Sequence, residues 1–324
     1  MSQMVEEFEH SLFEGSDEKK LYEDISSSLK RSYGRYDLET VLSVLESLES
    51  KDNMHPFVAF INDRLKKLNI PPIVPNEIAT SASLIRKLED FLMNECKFDI
   101  NNYDNNKNVY RDLLDNFAAE IENMSNSSNF MCNIYTTNYD RYLDRFLAER
   151  FHRNYSGAVT DYFNRNGDPH YLDIREDFFV PSYSPQNEYV KLHGSIDWFL
   201  DPEGKVIRTL DPLSNYKAGI MIYPTSEKPL YLEPWVWLLM LFKRALMRTN
   251  YWIAIGYSFN DEYIRNIFLE KLNIGRNKLV IISPSAEDIK RRFFDKYSSV
   301  KGFNCRIQDI VKCKNEIIEW IKGK

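Results

Sequence analysis

With 324 residues, 43% of them hydrophobic, the chain has enough material for one large domain or two modest ones around a sizeable core. A formal net charge of -6 argues against a broad, non-specific nucleic-acid surface. The four cysteines, Cys96, Cys132, Cys305 and Cys313, form no CxxC pair, which excludes a zinc site assembled from close-paired cysteines.

The N-terminal half reads as mostly helical. Met4, Phe8 and Leu12 recur at helical spacing in an acidic, amphipathic segment, not in the basic-then-apolar order of a secretory signal. Tyr36 to Ser50 repeats Leu and Val every three or four residues behind Asp37, a capping residue. "SASLIRKLEDFLMNE" and "NVYRDLLDNFAAEIENM" continue the pattern. Between these, Asn69 to Glu77 is a proline-rich break and Asp99 to Asn108 reads as a polar loop.

From residue 129 the pattern changes. "NFMCNIYT" reads as a strand, with a helix from about Tyr139, and a loop-rich insert covers 151–187. "EYVKLHG" and "AGIMIYP" are further strands, and Glu233 to Arg248 is an apolar helix. "NYWIAIGYS", "NKLVIISPS" and "FNCRI" are strands, each followed by an amphipathic helix. Such alternation predicts an α/β fold with a Rossmann-like parallel sheet, covered on both faces, beside a large helical N-terminal portion. The organisation expected is one domain over 1–324: a helical portion at 1–128, a core at 129–147 and 188–324, and a small inserted segment at 151–187. "WVWLLMLF" is too short to span a bilayer, and a reducing, cytoplasmic setting with free cysteines is expected.

Strand ends carry the chemistry. Thr136-Thr-Asn-Tyr-Asp140, Leu192-His-Gly-Ser-Ile-Asp-Trp198 and Gly256-Tyr-Ser-Phe-Asn-Asp261 are all turns where a parallel sheet keeps its ligands, on the carboxyl edge. Each residue also has a plainer reading. Asn138 and Asp140 would cap the helix that follows, Ser258 and Asn260 would form an N-cap pair, and His193 would be a satisfied core histidine. His10, His55, His152 and His170 show no partner pattern.

In this order the turns resemble the sirtuin-like family, which has a Thr-x-Asn-x-Asp turn, a His-Gly turn with the catalytic histidine and a Gly-x-Ser turn on the cofactor. The resemblance covers roughly Phe130 to Ser285, and the branch most resembled is the bacterial NAD hydrolases of antiphage defence, which lack the deacetylases' zinc module. It implies NAD as substrate, no metal, and hydrolysis to nicotinamide and ADP-ribose. Catalytic roles then fall to Asn138 on ribose hydroxyls or water, Asp140 on developing positive charge or as turn anchor, and His193 as proton acceptor. Cofactor contacts fall to Thr136, Thr137, Gly194, Ser195, Gly256 and Ser258. Ser283 stands where the family often has Asn. "EPWVWLLMLFKRALM" reads first as a buried helix, with Trp235 or Trp237 as a wall of the nicotinamide pocket in the alternative reading. Partners implied are a homo-oligomer or a partner ATPase or other defence protein, with no membrane and no direct nucleic-acid binding.

The family's first strand and Gly-rich loop have no counterpart before "MSQMVEEFEHSL". The reading favoured is a start upstream of Met1, because the first helix keeps an apolar face that needs something to cover. The alternative is a non-catalytic nucleotide-binding or partner-binding subunit of a defence complex.

Overall fold

The computed structural model describes residues 2–33, 38–49, 75–96, 99–114, 133–151, 189–200, 202, 206–208, 235–275 and 277–323. Two compact units form, one of Met1–Lys97 with Met221–Pro229, the other of Phe98–Ile220 with Leu230–Lys324.

In the first unit, helices α1 (Ser2–Ser11), α2 (Asp17–Tyr33), α3 (Leu38–Glu49) and α4 (Pro75–Glu95) share one core. Its members sit three and four apart: Phe8 and Leu12; Tyr22, Ile25 and Leu29; Leu38, Val41, Leu42 and Leu45; Leu84, Ile85, Leu88 and Leu92. That spacing places each set on one helical stripe, and burying the stripes against one another drives association. Phe8 meets Tyr22 and Phe91 edge-on, at centroid distances of 5.4 and 5.3 Å.

The second unit opens with α5 (Ile100–Arg111), which corrects the polar loop expected at Asp99 to Asn108. Asp99 is the reason: its carboxylate accepts from Asn101 N at 2.8 Å and Asn102 N at 3.4 Å, satisfying the first free amides of the helix. Tyr103 is buried, and Tyr110 lies against Phe146 at 5.7 Å.

Strand β1 (Ile134–Thr136) leads to α6 (Tyr142–Phe151), which starts a few residues later than expected because Asp140 Oδ1 receives the Tyr142 amide at 3.0 Å. β1 pairs in parallel with β2 (Tyr189–Lys191), and β3 (Trp198–Leu200) pairs antiparallel with β4 (Val206–Arg208). After α7 (Trp235–Arg248) come β5 (Tyr251–Ile255), α8 (Glu262–Leu272), β6 (Lys278–Ser283), α9 (Ala286–Phe293), β7 (Val300–Asn304), a short 3-10 turn (Ile307–Asp309) and α10 (Ile310–Lys322). β5, β6 and β7 form a parallel sheet in that order. The last strand ends at Asn304, so it begins and ends earlier than the expected "FNCRI".

The centre strand β6 shows how both faces are covered. Leu279 and Ile281 point into one core with Trp252, Ala254, Phe268 and Val300. Val280 and Ile282 point into the other with Ile310, Ile317, Ile318 and Ile321 of α10. Alternate residues of a strand face opposite sides, so a continuous apolar run marks a strand buried twice. The fold is therefore α/β and Rossmann-like, with parallel strands between helical layers. Val190, Leu192 and Trp198 join the first of these cores, tying the β1–β2 pair to the β5–β7 sheet. The expected strand "AGIMIYP", the insert at 151–187 beyond Phe151 and the part of the expected helix from residue 115 to Met124 lie outside the described residues.

Candidate functional site

The site is built from the carboxyl ends of β1, β2 and β5. Thr136 lies opposite Lys191 in the parallel ladder, so the first two strands end level. Two backbone bonds then stitch the turns beyond them: Leu192 N donates to Thr136 O at 2.8 Å, and Ile196 N donates to Tyr139 O at 3.2 Å. The Thr136 hydroxyl accepts from Asn138 N at 3.0 Å, closing a tight turn that leaves Asn138 exposed and Thr137 half-buried.

Lys191 anchors this junction. Its side chain is 0% exposed, yet it sits between Val190 and Leu192 of the apolar core. Strand alternation turns it away from that core. Its ammonium donates to Asp144 Oδ2 at 3.0 Å, Ser195 Oγ at 3.0 Å and Tyr139 O at 3.2 Å, and also to Asp140 O. A buried cation costs several kcal/mol unless paired and fully bonded, and here α6 supplies the anion while both turns supply the remaining acceptors. Tyr189 Oη donates to the same Asp144 oxygen at 3.0 Å. Beside this pair, Arg141 Nε stands 3.1 Å from Asp197 Oδ2, a second ionic link between the turns.

Asp140 has its pKa raised. Burial is the main cause, opposed by the Tyr142 N–H and by Lys191 and reinforced by Asp144. Tyr110 is pushed up as well, by burial first and then by the Asp140, Tyr142 and Asp144 groups around it.

His193 is 6% exposed and follows β2 at the point where Gly194 takes φ 88, a left-handed turn that a side chain would strain. Its Nε2 stands 3.2 Å from Asp261 Oδ2, and its ring centre is 6.4 Å from that of Tyr139. The first turn thus meets the second through Tyr139, and the second meets the third through Asp261. Ser195 is buried on Lys191 and Tyr139 O.

The third turn leaves β5 at Gly256, φ 66, whose N–H donates to Ile282 O at 2.8 Å. Ser258 is half-buried and its hydroxyl accepts from Asn260 N at 3.4 Å. The cap of α8 is Asp261 rather than the Ser258–Asn260 pair: its Oδ1 accepts from Tyr263 N at 3.0 Å and Ile264 N at 3.3 Å. Phe259, fully buried, holds φ 56, which costs a bulky residue about 1–2 kcal/mol. Its ring packs edge-on against Tyr257, Phe268 and Phe294, and Arg265 Nη1 donates to its carbonyl at 2.8 Å.

Ser283 ends β6, and its hydroxyl accepts from Ser285 N at 3.3 Å ahead of α9. Trp235 is buried at the start of α7, while the side chain of Trp237 lies outside the described residues. Sequence reasoning assigned no role to Asp261, Lys191, Asp144 or the Arg141–Asp197 pair. A lysine between core residues of a strand was the one local signal available. Among the described residues no cluster of His, Cys, Asp and Glu suits a metal ion, and no helix is long and apolar enough to cross a membrane.

No curated protein matches the chain. The profile of the SIR2-like domain family matches residues 133–300, a span that includes all three turns and just over half the chain. The chain therefore belongs to the SIR2-like domain family.

Proposed function

We propose that this protein is an NAD+ glycohydrolase, releasing nicotinamide and ADP-ribose from NAD and water, and that it acts in antiphage defence by depleting NAD. The observation that carries the reading is the meeting of His193 with Asp261 and with the Asn138 turn, each from a different strand end. A dinucleotide suits the third turn: nothing lies within 4 Å of where a Cβ on Gly256 would stand, so a ribose or phosphate can approach that backbone. Gly256 and Ser258 would hold it there, with Thr136, Thr137 and Gly194 lining the other two turns. Ser195 and Asp140 are read as anchors of those turns.

In this scheme His193 takes a proton from a ribose hydroxyl or from the attacking water, and Asn138 orients that water or the ribose through its amide. The substrate supplies the cationic leaving group. Because unchecked NAD loss kills a cell, control by self-association, a partner ATPase or another defence protein is part of the proposal.

The test is nicotinamide release by the purified protein. His193→Ala and Asn138→Ala are expected to lower turnover by about 10²- to 10⁴-fold with the fold unchanged by circular dichroism. Wild-type rates in both variants would reject the assignment. The covering of His193, 6% exposed, favours a second reading, a nucleotide-binding subunit without turnover. Calorimetric NAD binding with no nicotinamide release would select it.

A further inference from the structure

We propose that Asp261 is a positioning residue that fixes which nitrogen of His193 carries the ring proton, so that the opposite nitrogen accepts the proton in the reaction. Its kinetic consequence rests on the NAD-cleaving reading above; its effect on the ring does not.

Asp261 does two jobs with two oxygens. Oδ1 caps α8, receiving both Tyr263 N and Ile264 N. A cap requires no more than that, and Ser or Asn serves as well as Asp. The second oxygen, Oδ2, faces His193 Nε2 at 3.2 Å, and both side chains are buried, at 8% and 4% exposure. With the first oxygen occupied by backbone donors, the carboxylate cannot turn away without uncapping the helix. The approach is also set by the backbone. Phe259 is held in the left-handed region by its buried ring and by Arg265, and this bend delivers Asp261 to the histidine.

A carboxylate oxygen at Nε2 only accepts, so the neutral ring carries its proton on Nε2 and presents Nδ1 as the base. Tyr139, from the first turn, lies beside the ring, and the turn that carries His193 also holds the charged residues Lys191 and Asp197. The latter two are paired with Asp144 and Arg141. The same logic governs His–Asp pairs in hydrolases, where Asn in place of Asp keeps the geometry but inverts the tautomer.

The experiment uses the full chain and two variants that both retain a capping side chain. In Asp261→Asn the amide oxygen stays on the backbone N–H groups and the NH2 faces Nε2, forcing the proton to Nδ1. In Asp261→Ser the cap remains and the ring partner is removed. Ring nitrogens are read by long-range 1H–15N correlation at about pH 8, with the His193 signals identified by their loss in His193→Gln. The wild type is expected to show Nε2–H, and Asp261→Asn to show Nδ1–H. Nicotinamide release should fall by about 10²- to 10⁴-fold in kcat for both variants, with KM unchanged, because the lost interaction acts on the reacting state. An unchanged tautomer in Asp261→Asn overturns the proposal, as does wild-type kcat in either folded variant, which would leave Asp261 a helix cap alone. If the wild type releases no nicotinamide, the glycohydrolase reading fails by itself, and the ring spectra still decide whether Asp261 holds the imidazole.

Discussion

Lys191 is the residue on which the junction of the first two turns depends. Its ammonium, itself out of solvent, holds two turn carbonyls, a serine hydroxyl and the Asp144 carboxylate. Removing one member of such a pair strands the other as an uncompensated charge. Lys191→Met is therefore expected to lower stability by about 3–5 kcal/mol in urea unfolding. The double variant Lys191→Met with Asp144→Asn should recover part of that loss, since the amide keeps an acceptor for Tyr189 Oη and removes the stranded charge. Simple additivity of the two substitutions would show that the pair is not coupled.

At the level of helices and strands, termini and close approaches decide what forms. α5 begins in a stretch whose apolar residues are sparse, and the carboxylate of Asp99 compensates by capping it. Asp99→Ala should cost about 1 kcal/mol, whereas Asp99→Asn should be nearly silent, as measured by amide exchange across α5 and by urea midpoints. β7 shows the opposite constraint. A Cβ on Gly302 would lie 2.9 Å from the Ala286 carbonyl carbon and oxygen, at the start of α9. Those are backbone atoms and cannot rotate aside, so Gly302→Ala should destabilise by about 1–3 kcal/mol, visible as a lowered Tm.

Across the molecule, the two units differ in what holds them. The helical unit rests on a stripe-to-stripe apolar core with Glu18 of α2 bonded to Lys87 and Ser83 of α4. The Lys87 contact foremost, with the backbone and Ser83, lowers the Glu18 pKa from its ordinary 4.5 to about 2. A carboxyl lowered on folding adds stability that is complete above its unfolded value and is lost as pH falls through the folded one. The stability difference between wild type and Glu18→Gln is thus expected to persist above about pH 4.5 and to shrink towards pH 2, in urea titrations at stepped pH. A difference that stays constant through this range would remove the pair as its source.

The helices of the first unit and the strand–helix alternation of the second follow from local periodicity, because a stripe or an alternating face is written in consecutive residues. The strand-end turns were readable too, from Asn138, His193–Gly194 and Gly256, since small and polar residues punctuate apolar runs. α5 was not, because a single cap outweighed a weak period. The partners of those turns could not be read locally either. Asp261 looked like any residue before a helix, and Lys191 like an interruption in a strand. Their roles come from contacts between segments far apart along the chain. Such a contact leaves no period in the sequence, and exists only once the sheet has brought its strand ends to one edge.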